Sequence, residues 1–285
     1  MSVRKEDYQS DVECAWCPGC GNFGILEAVK RALVQLALAP HQVLICSGIG
    51  QAPKLPHYLK VNTFNGLHGR ELPAATAAKL CAPDLTVLVH SGDGGAYGEG
   101  GNHLLHAMRR NIDLTLVVHD NKIYGLTKGQ ASPTTASGTV TDFPRTELVE
   151  SPVNPLALAI SQSCGFVAQG MSARIEQLVD LLCAAIEHRG FSLVNVLQPC
   201  VTWDKVHTYA HYQTHCQDLG AEHDPGDRLR AFERVTRPSD KIPLGVIYHE
   251  HRPSFQDRLL GPERRSLRTQ PLDPERVKAL FPRFL

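Results

Sequence analysis

The chain has 285 residues, 42% of them hydrophobic and 20% charged, with 29 basic and 29 acidic side chains. That composition fits one large α/β domain or two small ones, and the balanced charge offers no electrostatic footprint for nucleic acid. No apolar run approaches the roughly 18 residues of a membrane span, and the polar start MSVRKEDYQSDVE lacks the apolar centre of a secretory leader, so a cytoplasmic protein is expected.

Cys14, Cys17 and Cys20 form two overlapping C-x2-C pairs, but the fourth Cys-Pro of a bacterial ferredoxin does not follow. Residues 23–38 carry Ile25, Leu26, Val29 and Leu33 at helical spacing, and Pro40 closes the helix. Residues 42–46 read as a buried strand, followed by the tight loop Ser47-Gly48-Ile49-Gly50. A second strand at 61–64 leads into Gly66-Leu67-His68-Gly69-Arg70, and the alanine-rich stretch 72–80 reads as a closely packed helix.

A strand at 85–90 ends in Ser91-Gly92-Asp93-Gly94-Gly95; a helix at 99–110 and a strand at 113–119, ending at Asp120-Asn121, complete a βαβ unit with parallel strands. Residues 130–155, rich in Ser, Thr and Pro, read as a long surface loop. A helix at 156–162, a strand at 166–168, an amphipathic helix at 175–187 and a buried strand at 192–197 follow, the last ending at Gln198-Pro199-Cys200. After Trp203 the chain turns rich in charge, His and Pro. We therefore divide it into a domain at 1–203 and an irregular extension at 204–285 that packs on the domain or on a partner subunit. His207, His211 and His215 recur on a predicted helix beside Cys216. They could chelate a metal, but a polar interface face is the favoured reading. Cys81, Cys164 and Cys183 lie in apolar stretches and read as core residues.

Two groups of residues carry chemistry. Glycines around a strand-end Asp let the backbone approach a phosphate, and the helix that follows favours its negative charge. Asp93 could then hold magnesium, a hard cation that takes oxygen ligands, with Asn121 as a second ligand from the next strand end. A plain glycine turn is the alternative. The second group is Cys17, Cys20, Cys46 and Cys200. The last two follow predicted strands at the edge where Asp93 lies, so one four-thiolate set is expected, suited to a [4Fe–4S] cluster or to zinc.

The runs WCPGCG, CSGIG, LHGR, GDGGAYGEGGNH, DNKIYGLTKGQASPT and QPC, with DKIPLGVIYHEHRPSF further on, resemble the β subunit of 2-oxoacid:ferredoxin oxidoreductases over about residues 12–260. The GDG run and Asp120-Asn121 resemble the thiamine-diphosphate motif, with Asp at the first of two positions that are mostly Asn in that enzyme class. Gly95 and the extra Cys14 are further departures. The resemblance implies an α/β fold with a mostly parallel sheet flanked by helices, binding thiamine diphosphate, magnesium and one [4Fe–4S] cluster. It implies Asp93, Asn121 and the Ile123 carbonyl as magnesium ligands, and Cys17, Cys20, Cys46 and Cys200 as cluster ligands. Ser47, Gly48, Ile49, His68, Gly92, Gly94, Gly95, Gly125, Leu126 and Thr127 would contact the cofactor. Lys54 and Lys128 are candidates for a substrate carboxylate or a coenzyme A phosphate, with solvated surface lysines as the alternative, and Arg70, which resembles a residue lining the family's cofactor pocket, is a further substrate-binding candidate.

The implied reaction is reversible, coenzyme A-dependent oxidative decarboxylation of a 2-oxoacid with ferredoxin as electron acceptor, in an α2β2 assembly. The glutamate that activates thiamine has no counterpart placed by motif here, and the resemblance implies that the α subunit supplies it. The YGLTKGQ stretch favours 2-oxoglutarate over pyruvate. A thiamine enzyme without a cluster and a non-catalytic iron–sulfur or zinc scaffold are the competing readings.

Overall fold

One eight-stranded sheet organises the computed structural model, which describes residues 3–141, 145–261, 266–271 and 273–283. In chain order the elements are α1 (Asn22–Gln35), β1 (Val43–Ser47), β2 (Asn62–Asn65), α2 (Glu71–Cys81), β3 (Thr86–Gly92), α3 (Gly101–Arg110) and β4 (Leu114–Asp120). There follow a small hairpin of β5 (Ile123–Tyr124) and β6 (Gln130–Ala131), α4 (Pro155–Ser161), β7 (Phe166–Met171), α5 (Ile175–Glu187) and β8 (Phe191–Leu197). The last segment holds α6 (Tyr209–His215), β9 (Cys216–Asp218), α7 (Arg228–Thr236), β10 (Ile242–His249) and α8 (Phe255–Leu260). The strand order is β2-β1-β3-β4-β8-β7-β10-β9. Pairing is parallel from β2 through β7, and β10 joins β7 antiparallel.

Strands buried on both faces need a helix layer on each, and their continuous apolar runs reflect this. Ile25, Val29 and Leu33 of α1 pack with Leu178, Val179 and Leu182 of α5 on one face. Leu72 and Ala75 of α2, Leu104 and Met108 of α3 and Leu156 of α4 cover the other. From β1 the chain passes to β2 on one side and then to β3 on the other. This is a topological switch point, and the crevice outside the strand carboxyl ends there is where such sheets bind ligands.

Three expectations need correction. Residues 130–155 are not simply a surface loop, because Ser132, Thr134, Thr135 and Thr141 are buried; residues 142–144 of that stretch lie outside the described residues. The extension after 203 is not merely irregular, because β10 enters the main sheet beside β7 and α7 covers the face next to α4. Pro243 and Gly245 interrupt the alternation of β10, and a register shift between Val246 and Tyr248 breaks it again, which hides the strand from its sequence. Cys164 and Cys183 are buried as expected, but Cys81, the last residue of α2, is exposed. Among the described residues no helix is long and apolar enough to cross a membrane.

Candidate active site

The parallel register pairs Gly92 of β3 with His119 of β4, so the next residues, Asp93 and Asp120, emerge side by side at the sheet's carboxyl edge. Both are buried, at 2% exposure. The Thr134 hydroxyl lies 2.7 Å from Asp93 Oδ2 and 2.9 Å from Asp120 Oδ1, and the Ser132 hydroxyl donates to Asp93 Oδ2 at 2.5 Å. One hydroxyl proton cannot serve both carboxylates at once, so the two carboxyl groups face each other across a single donor. Burial, and then the neighbouring Asp120 charge, push Asp93 up to about 7. A divalent cation between them would offset that repulsion.

Behind Asp120, Asn195 Nδ2 donates to Asp120 Oδ2 at 3.2 Å, and Tyr97 Oη donates to Asn195 Oδ1 at 2.7 Å. Tyr97→Phe is expected to cost about 1–2 kcal/mol in chemical denaturation, because it leaves a buried amide oxygen unpaired.

One cavity collects Ile49, Gly92, Asp93, Gly94, Gly95, His68, Asn121, Ile123, Gly125, Leu126 and Thr127, all of them residues expected at the cofactor. A Cβ at Gly92 would meet nothing within 4 Å, so the backbone there faces open space, while one at Gly94 would strike the Tyr124 ring. Gly94–Glu99 forms a π-helical turn that runs into α3, so its free N–H groups start beside Asp93. The buried carboxyl pair, the open glycine cradle and this helix start fit a magnesium-bound diphosphate, with Asp93, Asn121 and the Ile123 carbonyl available to the cation. Asp93 is the only carboxylate among the described residues lining the cavity.

Not every expected residue reaches this cavity. Ser47 and Gly48 form its supporting wall: Asn65 Nδ2 donates to the Ser47 hydroxyl at 2.9 Å and to the Gly48 carbonyl at 2.8 Å. Arg70 points instead to the Glu99 carbonyl, 2.7 Å away. Lys54 and Lys128 do not line the cavity, although their neighbours Pro53 and Thr127 do.

Sequence reasoning also missed Glu71. It is 2% exposed, accepts a hydrogen bond from the Ser91 hydroxyl, and is pushed up chiefly by burial. Its Oε2 and the Nδ1 of His68 are buried without partners, and a Cβ at Gly48 would come within 2.5 Å of that oxygen. No motif marks it, because its carboxyl reaches the site wall from the first turn of α2.

A second cavity gathers Trp16, Cys17, Cys20, Asn22, Cys200, Val201, Thr202, Trp203 and Gln51. Gln51, Asn121 and Gly125 line both cavities, so the two share a wall. Burial, the largest cause, pushes the Cys20 thiol up to about 11, with the nearby Cys200 and Cys17 adding to it. Thr202 Oγ1 lies 3.2 Å from Cys17 Sγ.

Cys46 does not line this pocket, so the expected four-cysteine set is not assembled in this structure. Successive side chains of a strand point to opposite faces. Ile45 packs in the α1 layer with Trp16, Cys14 and Cys20, so Cys46 packs in the other layer, with Leu72 and Ala75. It has no exposed surface, and burial pushes its thiol up to about 12. Among the described residues, no three thiols place their sulfurs within 4.8 Å of one another. A single zinc with Zn–S bonds of about 2.3 Å needs sulfurs about 3.8 Å apart, so the three thiols are not drawn together around a zinc-sized ion as they stand. His207, His211 and His215 fail the same test; His207 Nδ1 is instead held 2.7 Å from Asp204 Oδ2, and the His211 and His215 rings stack.

Residues 42–196 match the family "Thiamine pyrophosphate enzyme, C-terminal TPP binding domain", and residues 200–262 match the family of the C-terminal part of the pyruvate ferredoxin oxidoreductase β chain. The chain is 37% identical to the β subunit of 2-oxoacid:ferredoxin oxidoreductase 1 from Aeropyrum pernix, across 98% of this chain and 96% of that one. It is 39% identical to the KorB subunit of a 2-oxoglutarate synthase from Archaeoglobus fulgidus, across 81% and 80%. Its fold superposes with a TM-score of 0.88 on 2-oxoglutarate:ferredoxin oxidoreductase from Magnetococcus marinus, solved with 2-oxoglutarate, coenzyme A and succinyl-CoA bound; identity is 34%, covering 98% of this chain and 96% of that one.

Proposed function

This chain belongs to the family of 2-oxoacid:ferredoxin oxidoreductase β subunits, and from that premise we propose that it carries the thiamine diphosphate, magnesium and iron–sulfur half of an enzyme converting 2-oxoglutarate and coenzyme A to succinyl-CoA and carbon dioxide, reversibly, with ferredoxin as electron partner. The observation that carries this reading is the shared wall. A diphosphate cradle on Asp93 and a thiol pocket of Cys17, Cys20 and Cys200 abut through Gln51, Asn121 and Gly125. A cluster in the second pocket would lie against a cofactor in the first. Thiamine diphosphate, when bound, supplies the nucleophilic carbon and the electron sink for decarboxylation.

The protein's own part is binding, orientation and exclusion of water. Asp93, with Asn121 and the Ile123 carbonyl, holds the cation. Gly92, where a Cβ would meet nothing within 4 Å, leaves its backbone open to phosphate oxygens, while Gly94 and Gly95 make room for Tyr124 and for Ser91 and His68. Tyr124 Oη donates to the Glu99 carboxylate at 3.1 Å, and the Tyr124 ring, which lines the cavity, stands edge-on to His68.

The α subunit is the partner we assign, as α2β2, and we assign to it the activating glutamate, because no glutamate is among the described residues lining this cavity and Glu71 stands behind its wall, bonded to Ser91. Apolar side chains exposed around the cavity mouth support a docked partner: Ile49 and Leu126 at 44%, and Leu67, on the turn before His68, at 74%. Leu67→Asp is expected to leave the fold of this chain intact, since the side chain packs on little of it, and to weaken assembly with the α subunit at least about 10-fold, or 1.4 kcal/mol. Analytical ultracentrifugation of the mixed subunits measures this. We place the assembly in the cytoplasm.

The test is anaerobic turnover of the reconstituted assembly. One thiamine diphosphate per chain, reduction of ferredoxin on 2-oxoglutarate with coenzyme A, and kcat/KM at least about 10-fold above pyruvate are expected, with this chain silent alone. Preference for pyruvate would overturn the substrate, and turnover by the isolated chain would overturn the division of labour.

A further inference from the structure

We propose that the thiol pocket is a three-cysteine cluster site, in which Cys17, Cys20 and Cys200 are the sulfur ligands and the Gln51 amide oxygen stands at the fourth corner. The inference rests on the iron–sulfur reading above and departs from the four-thiolate ligation expected of this chain.

Cys46 faces the opposite side of the sheet, so no rotamer change brings it to the pocket without turning β1 over. Cys14 packs in the apolar layer with α1 and does not line the pocket. Among the described residues lining it, Gln51 is the remaining side chain that meets three conditions together. It faces Cys17, Cys20 and Cys200, its Oε1 is buried, and that oxygen has no hydrogen-bond partner. An orphaned buried amide oxygen is destabilising unless something accepts its lone pairs. Its backbone is also pinned: the Trp16 indole Nε1 donates to the Gln51 carbonyl at 2.8 Å, and Trp16 is the residue before Cys17. One indole therefore ties the amide corner to the first thiol corner.

The chemistry follows from ligand charge. A thiolate neutralises part of the charge of the iron it binds, and a neutral amide oxygen does not. A cube in this pocket would thus have three firmly held irons and one labile iron. One-electron oxidation by ferricyanide balances as follows. The dipositive cube gives a monopositive three-iron cluster, one ferrous ion and one electron, and the electron converts ferricyanide to ferrocyanide. The Gln51 oxygen is released with the departing iron.

The experiment uses the full anaerobic assembly with iron and sulfide counting, a ferrous chelator and low-temperature EPR after one equivalent of ferricyanide. For the wild type, loss of one iron per cluster and the near-isotropic signal of an oxidised three-iron cluster are expected. Gln51→Cys should retain all its iron under the same oxidant and show no such signal. Cys46→Ala should match the wild type in iron count and spectrum, and Cys200→Ala should lose the cluster while still binding thiamine diphosphate. A Cys46→Ala assembly that stays folded yet loses its cluster would overturn the proposal, as would a wild-type cluster as resistant as that of Gln51→Cys. Iron and sulfide missing from both wild type and Gln51→Cys would instead sink the iron–sulfur reading of the pocket.

Discussion

Asp93→Asn is expected to weaken thiamine diphosphate binding in magnesium by about 100-fold or more, about 2.7 kcal/mol, while leaving the metal-free chain at least as stable as the wild type. The two effects have one cause. Asp93 is a buried carboxyl facing a second carboxyl, Asp120, across a single threonine hydroxyl. With a magnesium ion present its charge is the anchor, because magnesium takes hard anionic oxygens and a neutral amide is a poor substitute. With the ion removed the same charge is a liability, which is why burial and Asp120 push the carboxyl up to about 7.

The sign of the pH dependence follows. A carboxyl raised in the folded state stabilises fully below its unfolded value near 4, and that stability is lost as pH rises through about 7. The advantage of Asn over Asp in chelator should therefore be absent near pH 4, grow between about 4 and 7, and stay level above. Calorimetric titration of the cofactor and denaturation in chelator at several pH values read the two halves separately. Wild-type cofactor affinity in the variant would show that Asp93 is not the anchor.

Gly69→Val should cost about 3 kcal/mol and disorganise the cofactor cavity with it. Gly69 has a φ of +68°, and a Cβ there would lie 2.5 Å from the Gly100 nitrogen and 2.6 Å from the Glu99 carbonyl carbon. The left-handed conformation costs a side-chain residue about 1–2 kcal/mol, and overpacking adds about 1–3. Both obstructing atoms are backbone, so neither can rotate aside.

The strain falls between two parts of the site. Residues 66–70 carry His68, and residues 99–101 join the π-helical turn to α3. Arg70 already clasps these parts by donating to the Glu99 carbonyl. Forcing them apart would move His68 from the cavity and the start of α3 from Asp93. Gly101→Ala is the control: a Cβ at Gly101 meets nothing within 4 Å, and alanine favours a helix, so stability should hold or rise slightly. Denaturant midpoints for the pair decide it, and equal stability of Gly69→Val and wild type would refute the close-approach argument.

Periodicity located most of the scaffold. The spacing of apolar residues placed a helix at 175–187, which is α5, and strands at 85–90 and 113–119, which the structure shifts by one or two residues to β3 (Thr86–Gly92) and β4 (Leu114–Asp120). These elements repeat one local pattern long enough to be read. Where the pattern breaks, reading failed: Pro243 and Gly245 concealed β10. Ser132 and Thr134 looked like loop polarity and prove to be the hydroxyls that hold Asp93.

Sequence alone determined the chemical class. Gly92-Asp93-Gly94 and Asn121 end adjacent parallel strands, and strand ends of one βαβ unit must share an edge, so a short-range pattern suffices for a diphosphate site. Only the tertiary structure decided which thiols meet. Cys46 stands one residue from the end of its strand, and the parity of that position sends its sulfur into the α2 layer while Gln51, in the loop beyond, comes to face Cys17, Cys20 and Cys200. Side-chain direction at a strand end changes face with every residue, and without the register of the folded sheet no count of cysteines reveals which face that is.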